Sequence, residues 1–216
     1  MLIYSTYAGA SCDPEIIRLG MGYCVTPNRL PNRGPDMPGV PYFMDNGAFS
    51  CWIKGYPYMP DLFWKTLAGC FQARLDLDFI VVPDLVADAA SLDYSIKWLR
   101  EYLPGGDRYA LAVQDGMTPK DVKNDCRTNF HRLKYIFIGG SVDWKWKTAA
   151  EWVSFARDEG KRVHIGQVGS LRRLRAAQSL GVDSVDSGSF TRNKSWSIVE
   201  EFQGKSPAPE LWSDAI

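Results

Sequence analysis

Phe79-Ile80-Val81-Val82-Pro83-Asp84 is an apolar run that does not alternate with polar residues and that stops in proline and acid. A strand with one wet face alternates, whereas a continuous apolar strand belongs to a parallel sheet covered on both sides. Outward from this stretch, short β-rich runs recur at Leu2–Thr6, Gly22–Thr26, Tyr42–Asp45, Asp78–Asp84, Tyr109–Gln114, Tyr135–Gly139, Arg162–Gln167 and Asp183–Ser187. Helical periodicity falls between them, at Pro14–Leu19, Asp61–Leu75, Ala87–Tyr102, Pro119–Phe130, Lys145–Glu159, Ser170–Leu180 and Ser195–Gln203, with Asp88, Thr118 and Ser170 as start signals. Residues 27–41, rich in proline, glycine and asparagine, read as an irregular loop replacing one helix, and 204–216 as a C-terminal tail. Eight strands alternating with helices predict a single compact (β/α)8 TIM-like barrel over 1–216. The alternative, an open doubly wound sheet, calls for a glycine-rich phosphate turn after the first strand, and Tyr7-Ala8-Gly9-Ala10 is a poor one.

At 216 residues the chain suits one α/β domain. Basic and acidic residues balance at 25 each, which argues against coating nucleic acid by bulk charge and leaves room for a local basic face. Five scattered cysteines without a Cys-x-x-Cys pair point to reduced, buried thiols and to no metal site, and no cofactor is implied. With no long apolar span and no signal-peptide pattern, a cytoplasmic protein without membrane contact is expected.

In such barrels the reacting groups stand at the C-terminal ends of strands. Polar residues recur there: Asp45, Asp84, Gln114 and Asp186. Alternation puts Ser184 and Asp186 on the face opposite Val185, and Gln114 on the face of the small Ala110 and Ala112, which a narrow interior accepts. Asp183 and Asp115 point the other way and are read as supporting residues. Gly139-Gly140 after the sixth strand lets a flat ligand approach the backbone. Read singly, Asp84 could start a helix and Asp45-Asn46-Gly47 could be an ordinary turn; together they make a rim. Three carboxylates at one mouth allow a division between nucleophile, proton carrier and substrate holder. His164, inside an apolar strand, reads as a hydrogen-bonded core histidine, and neither it nor His131 has metal-ligand spacing. Lys145, Lys147, Arg172, Arg192 and Lys194, interleaved with Trp144, Trp146 and Trp196, read either as a rim that grips phosphates and stacks bases or as solvated helix faces.

These residues carry a resemblance. Met44-Asp45-Asn46-Gly47-Ala48-Phe49, Asp84, Ala112-Val113-Gln114-Asp115-Gly116, Ile138-Gly139-Gly140, Gln167-Val168-Gly169-Ser170 and Gly181-Val182-Asp183-Ser184-Val185-Asp186 with Thr191-Arg192 resemble, in order, the motifs of the tRNA-guanine transglycosylase superfamily, most closely its compact phage branch of DNA-guanine transglycosylases (DpdA-like). The resemblance implies Asp186 as nucleophile, Asp45 in acid–base chemistry, and Asp84, Gln114, Gly139, Gly140, Val168, Gly169 and Phe49 around the base. It implies replacement of guanine in a nucleic acid by a free 7-deazaguanine base such as preQ0 through a covalent aspartyl-nucleotide. The zinc site of the family's tRNA enzymes, a Cys-x-Cys-x-x-Cys with His in a C-terminal extension, has no counterpart in 1–216, so DNA is favoured over tRNA. An accessory protein or a second copy of the chain is left open as a partner. Two other readings stand beside this one: a lyase or isomerase gripping a sugar phosphate with Gly169, Gly188 and Arg192, and a non-catalytic nucleic-acid-binding subunit.

Overall fold

Leu2, Ile3 and Tyr4 lie in parallel register with Ser184, Val185 and Asp186, so the first strand of the chain is bonded to the last. In this computed structural model, which describes residues 1–27, 29–30, 39–88 and 90–205, the strands form a closed parallel barrel in sequence order. They are β1 (Leu2–Thr6), β2 (Gly22–Val25), β3 (Tyr42–Met44), β4 (Leu77–Val81), β5 (Tyr109–Val113), β6 (Leu133–Ile138), β7 (Arg162–Ile165) and β8 (Ser184–Asp186). All eight fall where the sequence places them, and the protein is a (β/α)8 barrel. Among the described residues no helix is long and apolar enough to cross a membrane.

The helices are α1 (Asp13–Arg18), α2 (Ala48–Ile53), α3 (Pro60–Gln72), α4 (Ser91–Lys97), α5 (Pro119–Asp125), α6 (Val142–Asp158), α7 (Leu171–Ser179), α8 (Ser189–Arg192) and α9 (Trp196–Phe202). Thr118 and Ser170 cap α5 and α7 as their sequence positions require: the Thr118 hydroxyl accepts from the Asp121 N–H and the Asp121 carboxylate accepts in return, a capping box. Asp88 does not cap α4; its carboxylate accepts the Ala90 N–H in the turn before it. α5 ends at Asp125, well short of Phe130, which instead opens a 3-10 turn. Two short helices escape the periodicity reading, α2 and α8, because neither has enough turns to display an apolar stripe. The readings of 27–41 as a loop and 204–216 as a tail fall largely outside the described residues, at 28, 31–38 and 206–216.

Two cores follow from the two faces of each strand. Leu111, Val113, Val163, Ile165 and Val185 face outward into one cluster with the helices. Tyr4, Phe43, Phe79, Val81, Ala110, Ala112 and Tyr135 face inward as a second. The lower interior is solid: Phe43 and Phe79 stack at 4.6 Å, Phe79 meets Tyr135 at 4.3 Å, and the hydroxyls of Tyr4 and Tyr135 both donate to Asp78, which also holds Lys134. Side chains grow smaller toward the C-terminal ends, at Cys24, Ala112 and Gly166, and there the interior opens into a cavity of about 700 Å³.

Candidate active site

The cavity lies in the mouth where barrel enzymes keep their chemistry. β3, β4, β5 and β8 each deliver the polar residue that follows or ends them, so Asp45, Asp84, Gln114 and Asp186 line one space. The strand parity read from sequence therefore holds: Ser184 and Asp186 point inward while Val185 packs under the helices.

Asp186 is held at three points. Its carbonyl accepts the Val168 N–H at 2.7 Å, and the next residue, Ser187, donates its N–H to Tyr4 O. Its Oδ1 meets His164 Nε2 at 3.0 Å. His164 is wholly buried within the barrel, set among Phe43, Phe79 and Phe137, and its Nδ1 lies 2.9 Å from Ser184 Oγ. Burial lowers the pKa of the ring, against the pull of Asp186. With Asp186 ionised the carboxylate only accepts, so a neutral ring carries its proton on Nε2 and takes the Ser184 O–H at Nδ1. One carboxylate oxygen is thereby occupied, and Oδ2 is left to the cavity. His164 is the core histidine the sequence indicates, with a consequence that reading missed: its partner is the candidate nucleophile. The available signal was parity, since His164 shares its face with Gly166 on a strand paired with β8.

Asp84 is buried, 3% exposed, between two amides. Asn46 Nδ2 donates to its Oδ1 at 2.7 Å and Gln114 Nε2 to its Oδ2 at 2.5 Å. Burial pushes its pKa up to about 6, with the two amides opposing. It neither starts nor caps a helix. Asn46 also donates to Val82 O, so β3 and β4 are tied beneath the site by a residue not singled out in the sequence. Asp45 accepts the Gly47 N–H at 2.8 Å, the expected turn, and still faces the cavity. Burial, with Asp186 and Asp84 adding to it against the Gly47 N–H, pushes its pKa up to about 7. A proton donor near neutrality therefore stands beside a held carboxylate.

Gly139 and Gly140 line the cavity, but their N–H groups are already engaged, by Val113 O and by Gln114 Oε1 at 3.1 Å. Of the backbone groups that a flat ligand was expected to approach, these two N–H groups are therefore taken, one of them by the side-chain amide of Gln114. Gly140 has φ +72°, and a Cβ there would come within 2.7 Å of Trp144 and 2.5 Å of Asp115. Asp115 is the supporting residue expected, accepting from Ser141 N and Oγ. Asp183 likewise turns away, accepting the Val163 N–H and pairing with Arg157.

Other assignments need correction. Val168 and Gly169 do not line the cavity. Gln167, at φ +64°, turns the chain there in their place, which buries Val168 in the outer core and packs Gly169 against the Ser187 and Ser189 hydroxyls. Lys145 is no exposed rim cation: it is 2% exposed, donates to Gly166 O at 2.7 Å and faces the cavity, and burial pushes its pKa down to about 8. Trp144 is half-buried over Gly140. Lys147, Arg172 and Lys194 are exposed outside the cavity lining. Arg192 does reach the mouth, and Phe49 flanks it. Thr191 beneath Arg192 is buried and bonded to Thr6 O and Ser5, fastening α8 to β1.

No family model and no curated protein matches the chain.

Among the described residues no three His, Cys, Asp or Glu side chains are grouped to hold a metal, and all five cysteines are free and buried. The cavity's volume is in the range of small-molecule sites, and its lining offers a carboxylate held by a histidine at β8, a carboxyl whose pKa burial pushes up to about 7 at β3, and a hydrogen-bonded set of Asn46, Asp84 and Gln114.

Proposed function

We propose that the protein is a guanine transglycosylase that replaces guanine in a nucleic acid, DNA in preference to tRNA, by a free 7-deazaguanine base. The observation that carries this reading is the pairing of the His164-held Asp186 with the Asp84–Gln114 edge in one cavity. An ionised carboxylate flanked by amides matches the N1–H and exocyclic amine of guanine, which are donors, and the second N–H of Gln114 matches its carbonyl oxygen.

Asp186 Oδ2 attacks C1′ as the bond from C1′ to the base nitrogen breaks. The electron pair goes to the departing guanine, and Asp45 supplies the proton that guanine needs. The incoming base then attacks C1′, its ring proton returns to Asp45, and the bond to Oδ2 breaks, restoring Asp186. Two inversions retain configuration, as in retaining glycosidases. The target base has to leave its stack, at about a few kcal/mol in a duplex and less in a single strand.

The test is incubation with labelled guanine or preQ0 and, in parallel, with DNA and with tRNA, followed by digestion and mass analysis of the nucleosides. Label in DNA is expected, together with a denaturant-resistant protein–DNA adduct that D186N lacks. Absence of label from both polymers overturns the proposal.

A further inference from the structure

Helix α2 and the segment that follows it have an outer face that nothing in the described structure covers. Phe49, Trp52, Ile53 and Tyr56 are 38%, 52%, 63% and 59% exposed, and Met59 continues the line. Five of the ten exposed large apolar side chains among the described residues fall between residues 49 and 59. The rings are ordered among themselves, with Phe49 and Trp52 stacked at 5.9 Å and 29°. Residues 46–60 contain a single charge, Lys54, and no acid.

The face is continuous with the cavity, since Phe49, Ser50, Ile53 and Lys54 line its mouth. Three exposed cations, Arg29, Lys54 and Arg192, stand on that lining, and none has a carboxylate partner among the described residues. The carboxylates of the lining, Asp45, Asp84 and Asp186, lie at the strand ends. Flat aromatic faces with unpaired cations beside them match one kind of occupant, a polyanion carrying flat rings. A protein partner or a second copy would have no need of this charge, and every base offers a face to stack on.

We propose that the face from Phe49 on α2 to Tyr56 just beyond it is a stacking platform for unpaired nucleotides next to the one in the cavity, with Arg29, Lys54 and Arg192 holding their phosphates. The proposal rests on the nucleic-acid reading above and adds the conformation of the substrate: a single strand or an opened duplex, engaged through at least one flanking base. It also accounts for exposed aromatics that α2 could otherwise have buried at the cost of the binding surface.

Binding is measured by fluorescence anisotropy of a short labelled single-stranded oligodeoxynucleotide containing one guanine, and of its duplex, in the D186N background so that no chemistry intervenes. The variants are W52A, Y56A and the pair, with thermal melting to establish that each is folded; both side chains are exposed, so folding survives. Each substitution is expected to weaken single-strand binding about tenfold, with the duplex bound more weakly than the single strand throughout, and binding of free guanine by calorimetry unchanged. Equal oligonucleotide affinity in the double variant and its parent overturns the platform while leaving base exchange standing if label enters DNA. Sedimentation showing that the parent is a dimer which W52A/Y56A dissociates, without change in DNA affinity, overturns it in favour of a second copy. No binding of single strands by the parent overturns it as well, and the labelling assay then decides the exchange reading separately.

Discussion

The Asp186 carboxylate meets the His164 imidazole at 3.0 Å, and that ring is held from behind by Ser184 and walled by three phenylalanine rings. An aspartate restrained at its carbonyl, at its following residue and at one carboxylate oxygen presents the other oxygen in one direction. Orientation of that kind lowers the entropic part of a displacement barrier.

Under the proposed exchange His164 is therefore a positioning residue. His164→Ala is expected to lower kcat for base exchange by about 10- to 100-fold, the range typical when an orienting partner is lost, with KM for the free base little changed. His164→Gln, which keeps a donor, should recover part of the loss. Equal kcat in wild type and H164A, by steady-state label incorporation, would remove the role.

Asp45 makes stability depend on pH in a direction opposite to most surface carboxylates. Its proton is held up to about pH 7 in the fold and leaves near 4 in the unfolded chain. Between these values the folded chain binds the extra proton, so this stabilising contribution is present at acid pH and is lost as pH rises toward and past 7. Asp45→Asn is neutral throughout and can still accept the Gly47 N–H. By scanning calorimetry it should melt a few degrees above wild type at pH 8, with the gap closing toward pH 4.

Asp84→Ala strands the Asn46 and Gln114 amides that now donate to it. A loss of about 1–3 kcal/mol per stranded donor is expected in urea melts. Double substitution with Gln114→Ala should then cost less than the sum of the two, because one stranded donor is removed. Additivity in that cycle would show that the two side chains do not interact.

Gly140→Ala forces a Cβ to 2.5 Å from Asp115 and 2.7 Å from Trp144 at a positive φ. A destabilisation of about 1–3 kcal/mol is expected, with exchange activity falling further because Gln114, bonded to the Gly140 N–H, is displaced with it. Denaturant titration and label incorporation measured side by side separate the two effects.

The barrel was legible because short apolar runs recur, four of them closed by a polar residue, as at Ala110 to Gln114, where Ala alternating with Leu and Val displays which side is narrow. The carboxylates were legible for the same reason, each standing at or just past the end of its strand. What stayed hidden depends on contacts between elements distant in sequence. His164 and Asp186 lie 22 residues apart and meet only through the pairing of β7 with β8. Lys145 has the sequence context of an exposed first-turn cation, and only the closeness of Gly166 O explains its burial. Helix α2 follows a turn that reads as a simple loop, and its large apolar residues, Phe49, Trp52 and Ile53, face outward while only Ala48 and Cys51 are buried, against the rule by which periodicity is recognised.

The aromatic plug under the cavity, where Tyr4 and Tyr135 converge on Asp78 beneath stacked Phe43 and Phe79, leaves no passage through the barrel floor. Whatever is released inside must go out by the doorway through which its successor comes in. Under the proposed exchange, departing and arriving bases share one vestibule, across which the proposed platform would lay the polymer: excess free guanine should then slow incorporation of its replacement competitively, while the attached strand stays in place.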